Sequence, residues 1–239
     1  MTEKNIELLN RPKTWYRRWW VKILFVLAGL LLVFLPFYFL AMYRVYGEIK
    51  SGTYIATEGL KEKAPFNMDN LIDPMSPFEG ASDAKIQIVE FGDFNCSKCL
   101  AAFPIIRELM AKHHDQIRFS WRNYPVVQGS SLDFALAAVC AHKQNRFWAL
   151  HDKLFQSQGS VTPGTLTDVA KKIGLDVVTF QSCLQNKMTQ AQIKKDYYAA
   201  QEGAVKGTPT FFINGYKLQG VIPLESWEQI IKKFLTVYE

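Results

Sequence analysis

The stretch that decides the fold is Ile86–Leu100, IQIVEFGDFNCSKCL. Ile86 to Phe91 is an apolar run with β-branched residues, which reads as a buried strand. Cys96 and Cys99 follow it closely, separated by Ser97 and Lys98. On the first turn of a helix, residues i and i+3 share a face, so two sulfurs at this spacing can meet. The helix N-terminus sets partial positive charge beside Cys96, which favours the thiolate and lowers the thiol pKa. Lys98 brings a cation that pushes the same way, so Ser97 and Lys98 are the expected thiolate-tuning residues. The pattern is that of a redox-active dithiol, with Cys96 the exposed nucleophile and Cys99 the more buried resolving thiol.

Upstream, Ile23 to Tyr43 is a run of 21 residues without a formal charge, ILFVLAGLLLVFLPFYFLAMY. At the helical rise it spans roughly 30 Å, one bilayer core, and it predicts a transmembrane helix. It is longer than the apolar region of a cleaved signal peptide. Pro36 is tolerated in such a helix. Trp15, Tyr16, Trp19 and Trp20 before the run, and Tyr38 and Tyr43 near its end, suit the two interfaces. Residues 1–22 carry Lys4, Arg11, Lys13, Arg17, Arg18 and Lys22 against Glu3 and Glu7, whereas 44–50 carry two bases and one acid. The basic segment is expected to stay cytoplasmic, which places everything after Tyr43 outside, in a periplasmic or cell-surface setting where disulfides persist. The net charge is +6, most of it in those first 22 residues. What remains is no footprint for nucleic acid.

Residues 44–76 show mixed charge and no sustained period, and read as a stalk or linker. Residues 77–239 are one domain's worth of chain, large enough to fold without a disulfide. Its pattern runs strand, helix, strand, a block of helices over about 130–204, then a hairpin and a last helix. Leu100, Phe103, Ile106 and Met110 keep helical spacing after Cys99, with Pro104 inside the helix. Ile117 to Tyr124 alternates as a second strand. Leu132, Ala135, Leu136, Val139 and Cys140 mark a helix face, Thr165 with Asp168 a capping pair, and Ile193 to Ala204 a longer helix. Asn214-Gly215 between Thr210 and Leu218 predicts a tight hairpin. Leu224 to Phe234 closes the chain as an amphipathic helix.

The C-x-x-C at a helix start, Pro104 behind it, the helical insertion and Gly207-Thr208-Pro209-Thr210 before a strand together resemble the DsbA-like thiol:disulfide oxidoreductases. The resemblance covers about residues 76–238. It implies an α/β, thioredoxin-like fold with an inserted all-helical subdomain, here preceded by one N-terminal transmembrane helix. It implies that Cys96 is the nucleophile, Cys99 the resolving thiol, and Pro209 a cis-proline against them, with Thr208 offering backbone hydrogen bonds to an extended protein substrate. It makes Glu90 the buried acid beneath the dithiol, and it implies a quinone-linked membrane partner for recycling. Ser97-Lys98 departs from the proline-led dipeptide of the well-known oxidases, so the direction of exchange stays open; a stabilised thiolate favours disulfide donation.

Read from the residues alone, Glu90 at the end of a buried strand loses solvation, and its raised pKa lets it pass the Cys99 proton. Pairing with a buried cation such as Arg122 is the alternative. Asp93 reads as a loop or capping residue. Cys140 and Cys183 lie on apolar helix faces and are either buried thiols or a structural disulfide. His113, His114, His142 and His151 read as ordinary helix residues. No cofactor beyond the Cys96–Cys99 couple is expected, and no metal, since no second C-x-x-C or His pair completes a ligand set. Two other readings remain: copper or zinc held by the same cysteines, and a non-catalytic subunit of a membrane complex.

Overall fold

The computed structural model describes residues 14–50 and 66–238. The chain divides into two units at Lys50, each described by itself. The first is helix α1 (Thr14–Lys50), within which Trp19–Gly47 is long and apolar enough to cross a membrane. None of that span is buried against protein, and a helix apolar on every side is suited to lipid. Pro36 sits inside α1. Trp19, Trp20, Tyr38 and Tyr43 are exposed, whereas the side chains of Trp15 and Tyr16 lie outside the described ones. The helix continues past Tyr43 to Lys50, so the linker expected from residue 44 starts later; a single Gly47 costs a helix only about 1 kcal/mol. Residues 51–65 of that linker lie outside the described residues.

The second unit is built on a five-stranded sheet in the order β1-β3-β2-β4-β5. The strands are β1 (Phe78–Gly80), β2 (Ile86–Gly92), β3 (Ile117–Asn123), β4 (Thr210–Ile213) and β5 (Tyr216–Gln219). β2 and β3 are parallel and joined through helix α3 (Ser97–His113), and the other pairs are antiparallel. Asn214 and Gly215 turn the last hairpin, both with positive φ, as a type I′ turn needs. β2 is buried on both faces, which is why its sequence is a continuous apolar run. Ile86 and Ile88 face α3 and helix α9 (Leu224–Tyr238), packing on Ala102, Ile106, Leu109, Trp227, Ile230 and Ile231. Val89 and Phe91 face the other way, onto helix α2 (Met68–Leu71) and helix α8 (Lys187–Glu202). By this alternation Glu90 lies on the α3 side.

Residues 66–76 correct the domain boundary expected at 77. The Phe66 N–H donates to Gly215 O at 2.8 Å, and Leu71 is buried with Val89, Phe91 and Phe212. A four-residue helix carries too few apolar positions to show a period, and the face it covers is assembled from strands far along the chain.

Between β3 and β4 come α4 (Ser131–His142), α5 (Phe147–Gln156), a 3₁₀ turn (Pro163–Thr165), α6 (Leu166–Lys172), α7 (Val177–Leu184) and α8. A disulfide joins Cys140 on α4 to Cys183 on α7. Three local expectations shift. The capping pair is Thr162 with Thr165 rather than Thr165 with Asp168, because Pro163 starts the turn three residues earlier. Leu132 and Leu100 face solvent; α4 buries Ala135, Leu136, Val139 and Cys140 as expected, with Phe134, Ala137, Ala138 and Ala141 besides, and α3 buries Ile106 and Met110 together with Cys99, Ala102 and Leu109. α8 begins at Lys187, capped by Asn186, earlier than the apolar spacing from Ile193 suggests.

Candidate active site

Cys96 is the N-cap of α3, at the end of the sheet where β2 stops. Gly92, the last residue of β2, lies against the ring of Trp121, where any β-carbon would collide. The chain turns there. The Cys96 N–H donates to Asp93 O at 3.1 Å, and its carbonyl accepts from Leu100 N–H at 3.0 Å. Cys96 is partly exposed and Cys99 is 1% exposed, and both are free thiols. Ser97 and Lys98, between them, are exposed.

The two sulfurs differ sharply in acidity. The hydrogen bond from the Cys99 thiol, the Thr208 hydroxyl and the backbone N–H groups of Cys99 and Lys98 pull the Cys96 thiol down to about 5, against partial burial. Lys98 thus acts through its backbone N–H at the helix start, and its side chain is exposed. Burial pushes the Cys99 thiol up, together with the bond it gives to Cys96 and the nearby Glu90 carboxylate.

The Thr208–Pro209 bond is cis, and this loop closes over the dithiol. Cys96 Sγ lies 3.3 Å from the Thr208 carbonyl oxygen. The two Thr208 groups act in opposite senses, the carbonyl holding a protonated thiol and the hydroxyl a thiolate.

Glu90 is 4% exposed and flanked in the sheet by Trp121 and Phe211. Burial raises its carboxyl to about 8, partly offset by the charge of Arg107 and reinforced by Cys96. Arg122 is not its partner: that guanidinium bonds Asp196 at 2.7 Å on the other side of the sheet. Strand alternation separates the two, since Arg122 points towards α8 and Glu90 towards α3. The folded protein holds the Glu90 proton up to about pH 8, whereas an unfolded chain releases it near the ordinary value of 4.5. Stability from this group is therefore complete below about 4.5 and is lost as pH rises through about 8. Glu90→Gln is expected to remove that loss, so the variant melts progressively above the parent as pH rises over this range; parallel pH profiles of melting temperature would refute it.

Asp93, expected as a loop or capping residue, is 2% exposed and ties two segments together. Its carboxylate accepts from the N–H groups of Asn95, Val126 and Val127 at 2.8–2.9 Å. It thereby fixes the loop after β3 beside the dithiol and leaves Val126 and Val127 exposed there. Gln158, which no sequence signal marks, donates to Phe94 O at 2.7 Å and Cys96 O at 3.3 Å. Of the histidines, His151 is packed among Phe94, Trp121 and Phe155, where burial lowers its pKa to about 4. His113 pairs with Glu228 at 2.7 Å. Among the described residues no three His, Cys, Asp or Glu side chains gather as a metal site.

Residues 73–233 match the thioredoxin family. The chain belongs to it. Among solved structures, a thioredoxin-like oxidoreductase from Silicibacter pomeroyi superposes with a TM-score of 0.65 at 26% identity, covering 70% of this chain and 96% of that one. A periplasmic thioredoxin-like protein from Salmonella enterica serovar Typhimurium gives 0.64 at 27% identity, covering 73% and 99%. BdbD from Bacillus subtilis gives 0.62 at 27% identity, covering 72% and 97%. Among curated proteins, the Na(+)/H(+) antiporter NhaA 1 of Salinispora arenicola is 34% identical over 167 residues, which is 66% of this chain. The chain spans about a quarter of that relative's length, 26%.

Proposed function

We propose that this chain is a membrane-anchored, extracytoplasmic thiol:disulfide oxidoreductase that exchanges disulfides with protein substrates through Cys96 and Cys99 and works as an oxidase. The observation that carries this reading is the pairing of an acidic, accessible Cys96 with a buried, weakly acidic Cys99 at one helix start beside a cis-proline. A stabilised Cys96 thiolate stabilises the reduced form, which makes the disulfide form oxidising. The thioredoxin-like oxidoreductase and BdbD among the structural neighbours support the same chemistry. Anchoring and orientation rest on α1 and on the basic residues before it.

In the oxidising direction a substrate thiolate attacks Cys96 Sγ of the Cys96–Cys99 disulfide. The bond between the two cysteines breaks, and Cys99 leaves with the electron pair and takes a proton from Glu90. The mixed disulfide lies beside Thr208-Pro209. A second substrate thiolate then attacks the substrate sulfur, forming the substrate disulfide and releasing the Cys96 thiolate. Two electrons have passed to the dithiol, and an oxidising membrane protein, quinone-linked in the related oxidases, takes them away. Na(+)/H(+) antiport forms no part of this reading, because the likeness covers only a quarter of those transporters.

The test is Cys99→Ala in the full-length protein. Without the resolving thiol, mixed disulfides between Cys96 and substrates are expected to accumulate as reducible adducts on non-reducing gels. Absence of any adduct that also depends on Cys96 sinks the proposal.

A further inference from the structure

The active-site turn is held from outside the thioredoxin core by one side chain of the helical insertion. Gln158 lies just beyond the end of α5, and its amide nitrogen donates to the carbonyls of both Phe94 and Cys96. Phe94 is 2% exposed, and among the described residues its carbonyl has no other hydrogen-bond donor. That carbonyl lies between the end of β2 and the first turn of α3, where neither ladder nor helix can satisfy it. A buried carbonyl without a donor is costly, so its partner dictates how the peptide plane sits. The plane belongs to the turn that sets Cys96 at the N-cap and aims the Lys98 and Cys99 N–H groups back at its sulfur. The donor end of the Gln158 amide also turns its positive side towards this turn.

We infer that Gln158 is a positioning residue for the thiol chemistry: it fixes the Phe94–Cys96 turn so that the backbone donors at the start of α3 stay directed at the Cys96 sulfur. The inference rests on the exchange function proposed above. The insertion is then more than a cover, because one of its turns sets the acidity of the nucleophile. Trp121, Phe155 and Cys99 pack in the same cluster as Phe94 and hold the apolar side of this turn, whereas Gln158 holds its polar side.

The experiment uses full-length protein in detergent, with the rate of iodoacetamide alkylation at Cys96 followed against pH by mass spectrometry. Gln158→Met keeps the side-chain volume and removes both donors; Gln158→Asn keeps the amide on a shorter arm. Gln156→Met, at the exposed end of α5, is the control. The alkylation midpoint of both Gln158 variants is expected to rise by about one unit, which is about a tenfold fall in thiolate fraction below the midpoint, while the control stays with the parent. Circular dichroism on the same samples separates this from a folding defect, since Gln158 is only partly buried on a surface turn. Midpoints unchanged in both folded variants overturn the inference. If the parent itself titrates like an ordinary cysteine, the proposed function falls instead, so the two failures are distinguishable.

Discussion

Cys96→Ala is expected to abolish thiol–disulfide exchange entirely, because Cys99 is buried and its thiol is held protonated, so it cannot take over as nucleophile. The same asymmetry makes a quantitative prediction for the parent protein. Above about pH 5 the reduced form carries an ionised Cys96 and a protonated Cys99, so reduction takes up two electrons and one proton. The reduction potential against glutathione is expected to fall by about 30 mV per pH unit near neutrality and by about 60 mV per unit once pH drops below the Cys96 midpoint. The sign follows from linkage. The Cys96 pKa is depressed on folding, so the stabilisation it gives the reduced protein is complete above the ordinary cysteine range and is gone below about 5. Reduced protein should accordingly lose its stability advantage over oxidised protein as the solution is acidified through that value. A slope of two protons per two electrons persisting to pH 7 would refute the ionised nucleophile, whatever the turnover of Cys96→Ala.

Arg122→Ala is expected to destabilise the second unit by about 3–5 kcal/mol, the largest single-residue effect outside the dithiol. Arg122 is 2% exposed. Its guanidinium bonds Asp196 at 2.7 Å and Leu71 O at 2.8 Å, which joins β3 to α8 and to the start of the folded unit. Asp196 is equally buried and also accepts from the backbone and side chain of Asn123. Removing the cation leaves a desolvated carboxylate with no counter-ion, and burial already pushes that carboxyl up. For a unit of this size the loss corresponds to a fall in melting temperature of about 10 °C. The companion Arg122→Met/Asp196→Leu, which removes both charges and keeps the volume apolar, is expected to recover most of it. Thermal melts of the two variants decide the matter: equal losses would show that packing of the arginine stem, rather than the buried charge, is what the fold depends on.

The sequence by itself determined most of the thioredoxin frame. Ile86–Phe91, Ile117–Asn123 and Asn214-Gly215 follow local rules, namely double-sided burial, period-two alternation and a turn that needs two positive φ values, and the structure places β2, β3 and the hairpin there. Cys96 and Cys99 were legible for the same reason, since i and i+3 spacing at a helix start is a local fact. The partners of Arg122, Asp93 and Gln158 were not. Each bonds a group 33 to 74 residues away in sequence, and such pairings are chosen by which strand face or insertion turn arrives beside them. Local pattern could state that Glu90 was buried; only the alternation of β2 against α3 and α8 decided that it faces the dithiol helix while Arg122 faces away. Residues 66–76 looked like linker because a short segment with few apolar residues has no period of its own, and the fold claims it only after β2 and β4 have made a surface to cover. Local chemistry was therefore enough to name the paired sulfurs, and tertiary contact was needed to say what holds them in place and which buried acid lies on their side of the sheet.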